Sequence, residues 1–247
     1  MIKQDTEPTL MFGQGNAKLD YTIATFSLPS GYACPGAEQC LARASRASGK
    51  ITDGPENRFR CFSASQESMF PAVRKARWNN FEMLKEAKSV KRMAYLIMRS
   101  LPESPTVRIH VAGDFYSQNY FDAWLEVCKQ VPGKLFYAYT KSLTFWIARL
   151  DQIPKNLVLN ASRGGKFDVL IDQYHLKCAE VVFSEQAARD KGLELDHDDS
   201  HAYKGTKSFG LLIHGAQPSG TEAAKALSAL RAAGITGYSR NKPLGKA

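Results

Sequence analysis

Short apolar runs alternate with longer amphipathic segments along most of the chain. The runs are rich in Val, Ile, Leu, Phe and Tyr, which favours buried β-strands. Each run is followed by a segment whose apolar residues recur at helical spacing. The predicted strands are 21–28, 107–111, 134–139, 156–160, 179–183 and 208–214.

The amphipathic segments predict helices between these strands. The predicted helices are 71–88, 90–101, 119–131, 143–153, 166–174, 186–192 and 221–234. Strands that alternate with helices indicate parallel β/α units. The sequence therefore predicts an α/β fold, a partial or distorted parallel β/α (TIM-like) barrel of about six strands. An open doubly wound sheet is the alternative, although no glycine-rich dinucleotide fingerprint follows the first strand.

The length of 247 residues suits a single domain over 1–247. We expect 1–20 to be a loose lead-in and 29–65 to be a long loop that carries cysteines. The N-terminus lacks the pattern of a signal peptide, and no apolar run reaches the length of a membrane span. The five cysteines then favour a reducing environment without disulfides. We expect a cytoplasmic protein with no membrane partner.

Three cysteines, Cys34, Cys40 and Cys61, lie in the loop that follows the first predicted strand. Three thiolates could bind a metal and leave a fourth coordination position open. Their spacing fits neither a zinc ribbon nor a ferredoxin motif. The neighbouring Pro and Gly favour a 4Fe-4S cluster. Zinc, and buried thiols with no metal, are the alternatives.

Other candidate residues follow the later strands. The carboxyl ends of parallel strands share one edge, which is where β/α proteins bind ligands. Asp114, after Gly113, suits an amine, and Lys141 and Arg163 are long cations that could meet an anionic group. We predict a cofactor-binding set at this edge: Gly113, Asp114, Lys141, Asn160 and Arg163.

Positive charge is concentrated in one part of the chain. The net charge is +9, and residues 41–110 contain fourteen Lys or Arg against six Asp or Glu. Such a region could bind nucleic acid. A solvated face of amphipathic helices explains the same pattern.

The segment 193–203 combines two histidines with three aspartates. His197 and His201 are four residues apart and would share a face if the segment were helical, which could bind a divalent metal. Its residues are poor helix formers, so a polar loop held by turn and cap hydrogen bonds is the competing prediction.

Several of these motifs together resemble the phage gene product 88 family. The motifs are CPGAEQC…RCFSA, RIHVAGDFYS, YAYTKSL and NLVLNASRGG, and they extend from about Tyr21 to Phe167. The family pattern has cysteines in the early loop, a strand that ends in a Gly-Asp pair and a strand that carries Thr. Members also carry additional C-terminal cysteines, and in this sequence only Cys178 remains. If the resemblance means that the protein is phage-encoded, we expect it in the host cytoplasm.

The layout also resembles that of radical SAM enzymes. The resemblance implies a 4Fe-4S cluster on the three cysteines and a site for S-adenosylmethionine at the open iron. Asp114 would meet its amino group, and Lys141 or Arg163 its carboxylate. The compact three-cysteine spacing of those enzymes is absent from this sequence.

Two functional hypotheses follow from the sequence. The first is an iron–sulfur protein that holds a 4Fe-4S cluster, with a small-molecule ligand at the open iron in a polar pocket; a radical-SAM-like enzyme is one form of it. The second is a non-catalytic module in which zinc or a cluster is structural and the basic region binds nucleic acid. Whether the protein is an enzyme stays open at this point.

Overall fold

The computed structural model of the chain describes residues 8–16 and 18–235. Its strands are β1 Gly13–Gln14, β2 Ile23–Ser27, β3 Ala42–Ala44, β4 Ile51–Asp53, β5 Thr106–Ala112, β6 Leu135–Thr140, β7 Leu157–Ser162, β8 Cys178–Val182, β9 Glu194–Leu195 and β10 Phe209–Leu212. Its helices are α1 Phe62–Met69, α2 Pro71–Ala87, α3 Val90–Ser100, α4 Gln118–Gln130, α5 Leu143–Ile147, α6 Val169–Gln173, α7 Glu185–Asp190, α8 Ser200–Tyr203 and α9 Glu222–Ala232, with a 3-10 turn at Leu150–Gln152.

Eight of the strands form one mixed, mostly parallel sheet in the order β1-β2-β5-β6-β7-β8-β10-β9. Only β1 is antiparallel to its neighbour β2, and every other pairing in this sheet is parallel. The six predicted strands correspond to β2, β5, β6, β7, β8 and β10, and they lie side by side in chain order. The α/β class is therefore confirmed.

The predicted barrel is wrong, because the sheet does not close. A barrel requires the first and last strands to hydrogen-bond to each other. Here β1 pairs with the outer side of β2, and β9 pairs with the outer side of β10. The two short strands therefore cover the outer sides of β2 and β10, so that β2 and β10 do not pair with each other to close the described sheet.

Both faces of the sheet are covered, as is usual for parallel strands. Successive side chains of a strand point to opposite faces. Phe136 and Ala138 of β6 belong to a large core with helices α2, α3 and α4, whereas Tyr137 packs in a smaller core on the other face with Phe209. A third cluster packs α7 and α9 against β8 and β10.

Several elements inside the predicted loops and helices differ from expectation. The antiparallel hairpin β3–β4 lies within the predicted loop 29–65, and helix α1 begins in its last residues and continues to Met69. The predicted helix 143–153 stops at Ile147 and continues as the short 3-10 turn, since its aromatic and β-branched residues favour a helix only weakly. The predicted lead-in contributes strand β1, and its residues 1–7 and 17 lie outside the described residues.

None of the helices in the described ranges is both long and apolar enough to cross a bilayer.

Candidate functional site

A cavity of about 160 Å³ lies at the carboxyl edge of the sheet, next to the cysteine loop. Its walls come from the ends of β5, β6, β7 and β10, from the cysteine loop and from the start of α1. The polar and thiol side chains in its lining belong to Cys34, Cys40, Arg60, Cys61, Ser63, Arg108, His110, Asp114, Tyr139, Thr140, Lys141, Ser162 and His214. Apolar wall residues include Phe59, Phe62, Val111, Val181, Leu211 and Ile213.

Backbone contacts hold the cysteine loop against the ends of β6 and β7. Ala37 forms an antiparallel bridge with Gly165, and the Lys166 N–H donates to the Gly36 carbonyl over 3.0 Å. A Cβ on Gly36 would lie 2.1 Å from the Lys141 carbonyl oxygen. Only glycine allows this close approach, so Gly36 fixes one wall of the cavity.

The three loop cysteines line this cavity, but the predicted cluster site is contradicted. Across the described ranges, no three or more His, Cys, Asp or Glu side chains are grouped so that they could hold a metal ion. Burial, and then the nearby Asp114, raise the pKa of the Cys34 thiol well above its usual value. Burial likewise raises the pKa of Cys40 to about 11.

The iron–sulfur hypothesis is therefore wrong, and with it the alternative of a structural zinc or cluster module. The thiol groups of Cys34, Cys40 and Cys61 are wall groups of a cavity. S-adenosylmethionine as a ligand, for which the radical SAM layout was the argument, stays a prediction. The other two cysteines, Cys128 and Cys178, are both buried, in α4 and at the amino end of β8.

Asp114 is the buried carboxylate of the cavity wall. Its Oδ1 accepts hydrogen bonds from the Phe115 N–H (2.7 Å) and the Thr140 hydroxyl (2.6 Å), and its Oδ2 accepts one from the Lys141 N–H (2.8 Å). Burial raises the pKa of Asp114 to about 6, against the opposing effect of these hydrogen bonds. Asp114 forms no ion pair within the described part of the chain.

Gly113 positions Asp114 through its backbone. Its φ of +80° lies in the left-handed region, and a Cβ there would lie 2.6 Å from the Cβ of Leu28. The chain can therefore turn away from β5 at this point only with glycine. This turn brings the Asp114 carboxylate to the cavity.

The predicted cation Lys141 lines the cavity, but its ammonium group is already bound by protein acceptors. The Nζ donates to the Ser162 carbonyl (2.7 Å), the Ser162 hydroxyl (3.1 Å) and the Arg163 carbonyl (2.6 Å). An ammonium has three donors. Lys141 therefore ties the ends of β6 and β7 together.

Two of the predicted site residues lie away from this cavity. Asn160 is fully buried, and its Nδ2 donates to the Ala138 and Ala202 carbonyls, so that it joins β6 and β7 to α8. Arg163 pairs with Asp172 over 2.8 Å and lines a separate polar cavity of about 310 Å³. The strand-end pattern brings Gly113, Asp114 and Lys141 together with the cysteines, and it does not bring Asn160 or Arg163.

His110 is a cavity residue that the predicted site omitted. It is 3% exposed and has a φ of +65°, at the point in β5 where the register with β2 shifts. Its Nε2 lies 3.0 Å from the Tyr120 hydroxyl, and its buried Nδ1 has no hydrogen-bond partner among the described residues. Burial lowers the pKa of His110 to about 3. A histidine that interrupts an otherwise apolar run, three residues before Gly113, is the sequence signal for it.

The segment with two histidines forms a buried charge network on the face of the sheet that carries Tyr137. Asp199 pairs with Lys18 (2.5 Å) and Arg108 (2.6 Å), and Asp196 pairs with Lys18 (2.9 Å). Burial disfavours the charged form of Asp199, but Arg108 and Lys18 outweigh it and lower its pKa. His201 contacts Asp196 over 3.1 Å.

This segment agrees with the competing prediction, a polar segment held by turn and cap hydrogen bonds, and not with a metal site. His197 is exposed, and the two histidines belong to no metal-binding group among the described residues. Arg108 connects this network to the cavity, because its guanidinium reaches Asp199 while the residue lines the cavity wall.

Comparison with known proteins identifies the family. The profile of the family described as "Gene product 88" matches residues 3–233. The "Gene 88 protein" of Mycobacterium phage L5 is 25% identical over an alignment of 206 residues, and the match covers 79% of this chain and 73% of that protein. No solved structure matches the chain. Neither comparison supports the resemblance to radical SAM enzymes. The chain belongs to the gene product 88 family.

Proposed function

We propose that the chain binds a compact organic cation, such as a primary amine with an apolar body, in the cavity at the carboxyl edge of the sheet. The observation that carries the proposal is Asp114, a buried carboxylate on the cavity wall without an ion pair in the described part of the chain. Buried charges in proteins are ordinarily paired. A cationic ligand would supply the partner.

The unused hydrogen-bonding capacity of Asp114 supports this assignment. Its Oδ1 accepts two hydrogen bonds and its Oδ2 accepts one. Each carboxylate oxygen can accept two, so Oδ2 retains one acceptor position. An ammonium donor there would form a charge-assisted hydrogen bond, which is stronger than a neutral one.

The other cations of the lining do not compete for this position. The ammonium of Lys141 is bound by three protein oxygens, the guanidinium of Arg60 pairs with Asp53, and that of Arg108 pairs with Asp199. Burial also lowers the pKa of His214 to about 4, which leaves its imidazole neutral near pH 7.

The size and walls of the cavity define the rest of the ligand. Drug-sized ligands occupy cavities of roughly 300–1,000 Å³, whereas this one is about 160 Å³. The lining combines its polar side chains with an apolar wall that includes Phe59, Phe62, Val181, Leu211 and Ile213, and an apolar wall accommodates the body of a small ligand. A body of one ring or a short branched chain fits these properties.

The test compares two probes of nearly equal shape, benzylamine and benzyl alcohol, by isothermal titration calorimetry at pH 7.5. We expect benzylamine to bind at least about tenfold more tightly, since only the amine forms the charge-assisted bond to Asp114. Asp114→Asn removes the negative charge and should abolish this preference. At pH 5, where the carboxyl is protonated, the preference should also be lost.

Glu103→Gln is the matched control, because it removes an exposed carboxylate outside the cavity lining. The control should keep the full preference for the amine. Equal affinity of the two probes for the unmodified protein at pH 7.5 would contradict the proposal, and so would an unchanged preference in Asp114→Asn.

A further inference from the structure

An exposed surface of arginine, lysine and aromatic side chains lies beside the cavity. We define this hairpin surface by Tyr32, Arg43, Arg46, Lys50 and Trp78. Three of these residues lie on or next to hairpin β3–β4, Tyr32 precedes the first cysteine of the loop, and Trp78 comes from α2. Arg60 lines the cavity, and its guanidinium pairs with Asp53 of the hairpin.

The aromatic rings of this surface are stacked with the arginines. The rings of Tyr32 and Trp78 lie 4.8 Å apart between centroids. The guanidinium carbon of Arg43 lies 5.7 Å from the Tyr32 ring, and that of Arg46 lies 5.1 Å from the Trp78 ring. Tyr32 is nevertheless 42% exposed. A large, supported and exposed ring of this kind can stack on a planar ligand.

The charge of the hairpin is mainly positive. Residues 41–53 contain three basic residues and one acidic residue, Asp53, which pairs with Arg60. The Arg43 Nε donates to the Gly31 carbonyl, and neither Arg43 nor Lys50 forms an ion pair with another described residue. Arg46 differs, because Glu82 binds its guanidinium. Arg43 and Lys50 are therefore the two cations of this surface that an anionic partner would meet.

We propose that the hairpin surface binds single-stranded nucleic acid, with a base stacked on Tyr32 and phosphates near Arg43 and Lys50. Proteins that bind single strands combine cationic grooves with aromatic stacking platforms. A base inside a duplex is already stacked on both faces and would not offer a free face to Tyr32. An acidic protein partner would use the cations without needing the exposed ring.

The test measures the fluorescence anisotropy of a labelled oligothymidylate of about 15 nucleotides with the full chain. We expect binding to weaken steeply with salt between about 50 and about 200 mM. Tyr32→Ala should weaken binding by about tenfold or more, and Tyr32→Phe should retain it, because stacking needs the ring and not the hydroxyl. A double-stranded DNA of the same length should bind more weakly.

Arg43→Gln combined with Lys50→Gln provides a test that does not disturb the Tyr32–Trp78 contact. Losing two phosphate contacts should reduce the slope of log affinity against log salt by about 1.4. The control is Lys155→Gln, an exposed cation before β7 at the opposite, amino edge of the sheet. It should leave both the affinity and the slope nearly unchanged.

Three outcomes would overturn the proposal. They are the absence of oligothymidylate binding at about 50 mM salt, binding that Tyr32→Ala leaves unchanged, and duplex affinity equal to or above that for the single strand. Thermal unfolding of each variant shows whether it is folded. The cavity proposal is tested separately by the amine probes, so failure of one does not decide the other.

Discussion

Asp114 shows how one residue can be suited to a ligand at a cost to the fold. Its carboxyl group is buried, and burial raises its pKa from 3.8 to about 6. Thr140 and Lys141 donate hydrogen bonds to it, and the thiols of Cys34 and Cys40 lie near it. At neutral pH the protein therefore holds a negative charge that its own surroundings disfavour.

This cost predicts a specific pH dependence of stability. Between about pH 4 and pH 6 the folded protein retains a proton on Asp114 that the unfolded chain has released. The contribution of Asp114 to the unfolding free energy should therefore fall as the pH rises through this window, by roughly 3 kcal/mol. Chemical denaturation across the pH range, with Asp114→Asn for comparison, measures the effect.

The difference in unfolding free energy between the unmodified protein and Asp114→Asn is the informative quantity, since the other titrating groups largely cancel in it. That difference should change by roughly 3 kcal/mol between about pH 4 and pH 7, with the unmodified protein losing the more stability. A difference that stays constant with pH would show that Asp114 does not titrate as described.

At the residue scale, the sequence predicted which side chains line the cavity better than it predicted the contacts that those side chains make. Asp114 and the cysteines were found because strand ends and a long loop must meet at one edge of a parallel sheet. Asn160 was misplaced because it points toward the sheet face, where it binds backbone carbonyls of β6 and α8. The strain at His110 depends on a register shift that no single-sequence pattern encodes.

The cysteine loop illustrates the element scale, because glycine contacts and not metal bonds hold it in place. Gly36 approaches the Lys141 carbonyl, and Gly165 approaches the Gly36 carbonyl. The loop is thus attached to the ends of two strands at points where no side chain fits. Packing of this kind is sensitive to a single added methyl group.

Gly36→Ala should destabilise the protein by about 2 kcal/mol or more, since its Cβ would require the loop or β6 to move. Gly133→Ala is the matched control: a Cβ there has nothing within 4 Å, so its effect should be within about 0.5 kcal/mol. Urea unfolding of both variants measures the two values. Equal stability of the two variants would contradict the role given to Gly36.

The six strands of the sheet core were predicted because buried parallel strands leave strong apolar runs. Hairpin β3–β4, with three residues in each strand, has no comparable run. Helix α1 was missed because Ser and Gln occupy much of it and its apolar spacing is weak. Elements stabilised by tertiary contacts rather than by their own pattern were therefore invisible in the sequence.

At the scale of the whole molecule, buried neutral histidines should limit stability in acid. Burial lowers the pKa of His110 to about 3 and that of His214 to about 4. Below about pH 6.5 the unfolded chain takes up protons that these imidazoles cannot take up when folded. The contribution of these two imidazoles to the unfolding free energy should therefore decrease as the pH falls from about 6.5 toward 4, which is opposite in sign to the contribution of Asp114.

His110→Asn removes one of these groups and keeps a residue that tolerates a positive φ. Between about pH 6 and pH 4, the slope of its unfolding free energy against pH should be lower by about 1.4 kcal/mol per pH unit, the effect of one proton. Denaturant titrations at several pH values give this slope. The same slope in both proteins would show that His110 is not a neutral, buried group.

The barrel was predicted incorrectly for a reason that belongs to the whole molecule. Local patterns specify parallel β/α units, but closure depends on what pairs with the two outermost strands. Here these partners are β1 and β9, each two residues long. Strands of this length leave no sequence signal, although they decide whether the sheet is open.

The place of β2 in the sheet also has a consequence for the order of folding. Strand β2 pairs with β5, yet residues 28–105, which include the cysteine loop and helices α1 to α3, separate the two strands. From β5 onward, most neighbouring strands are joined by connections much shorter than the one between β2 and β5. Long-range pairings close slowly because of their entropy cost. We therefore expect β5 to β10 to assemble first and β2 to dock late, so that the cavity and the hairpin surface form only in the last step of folding.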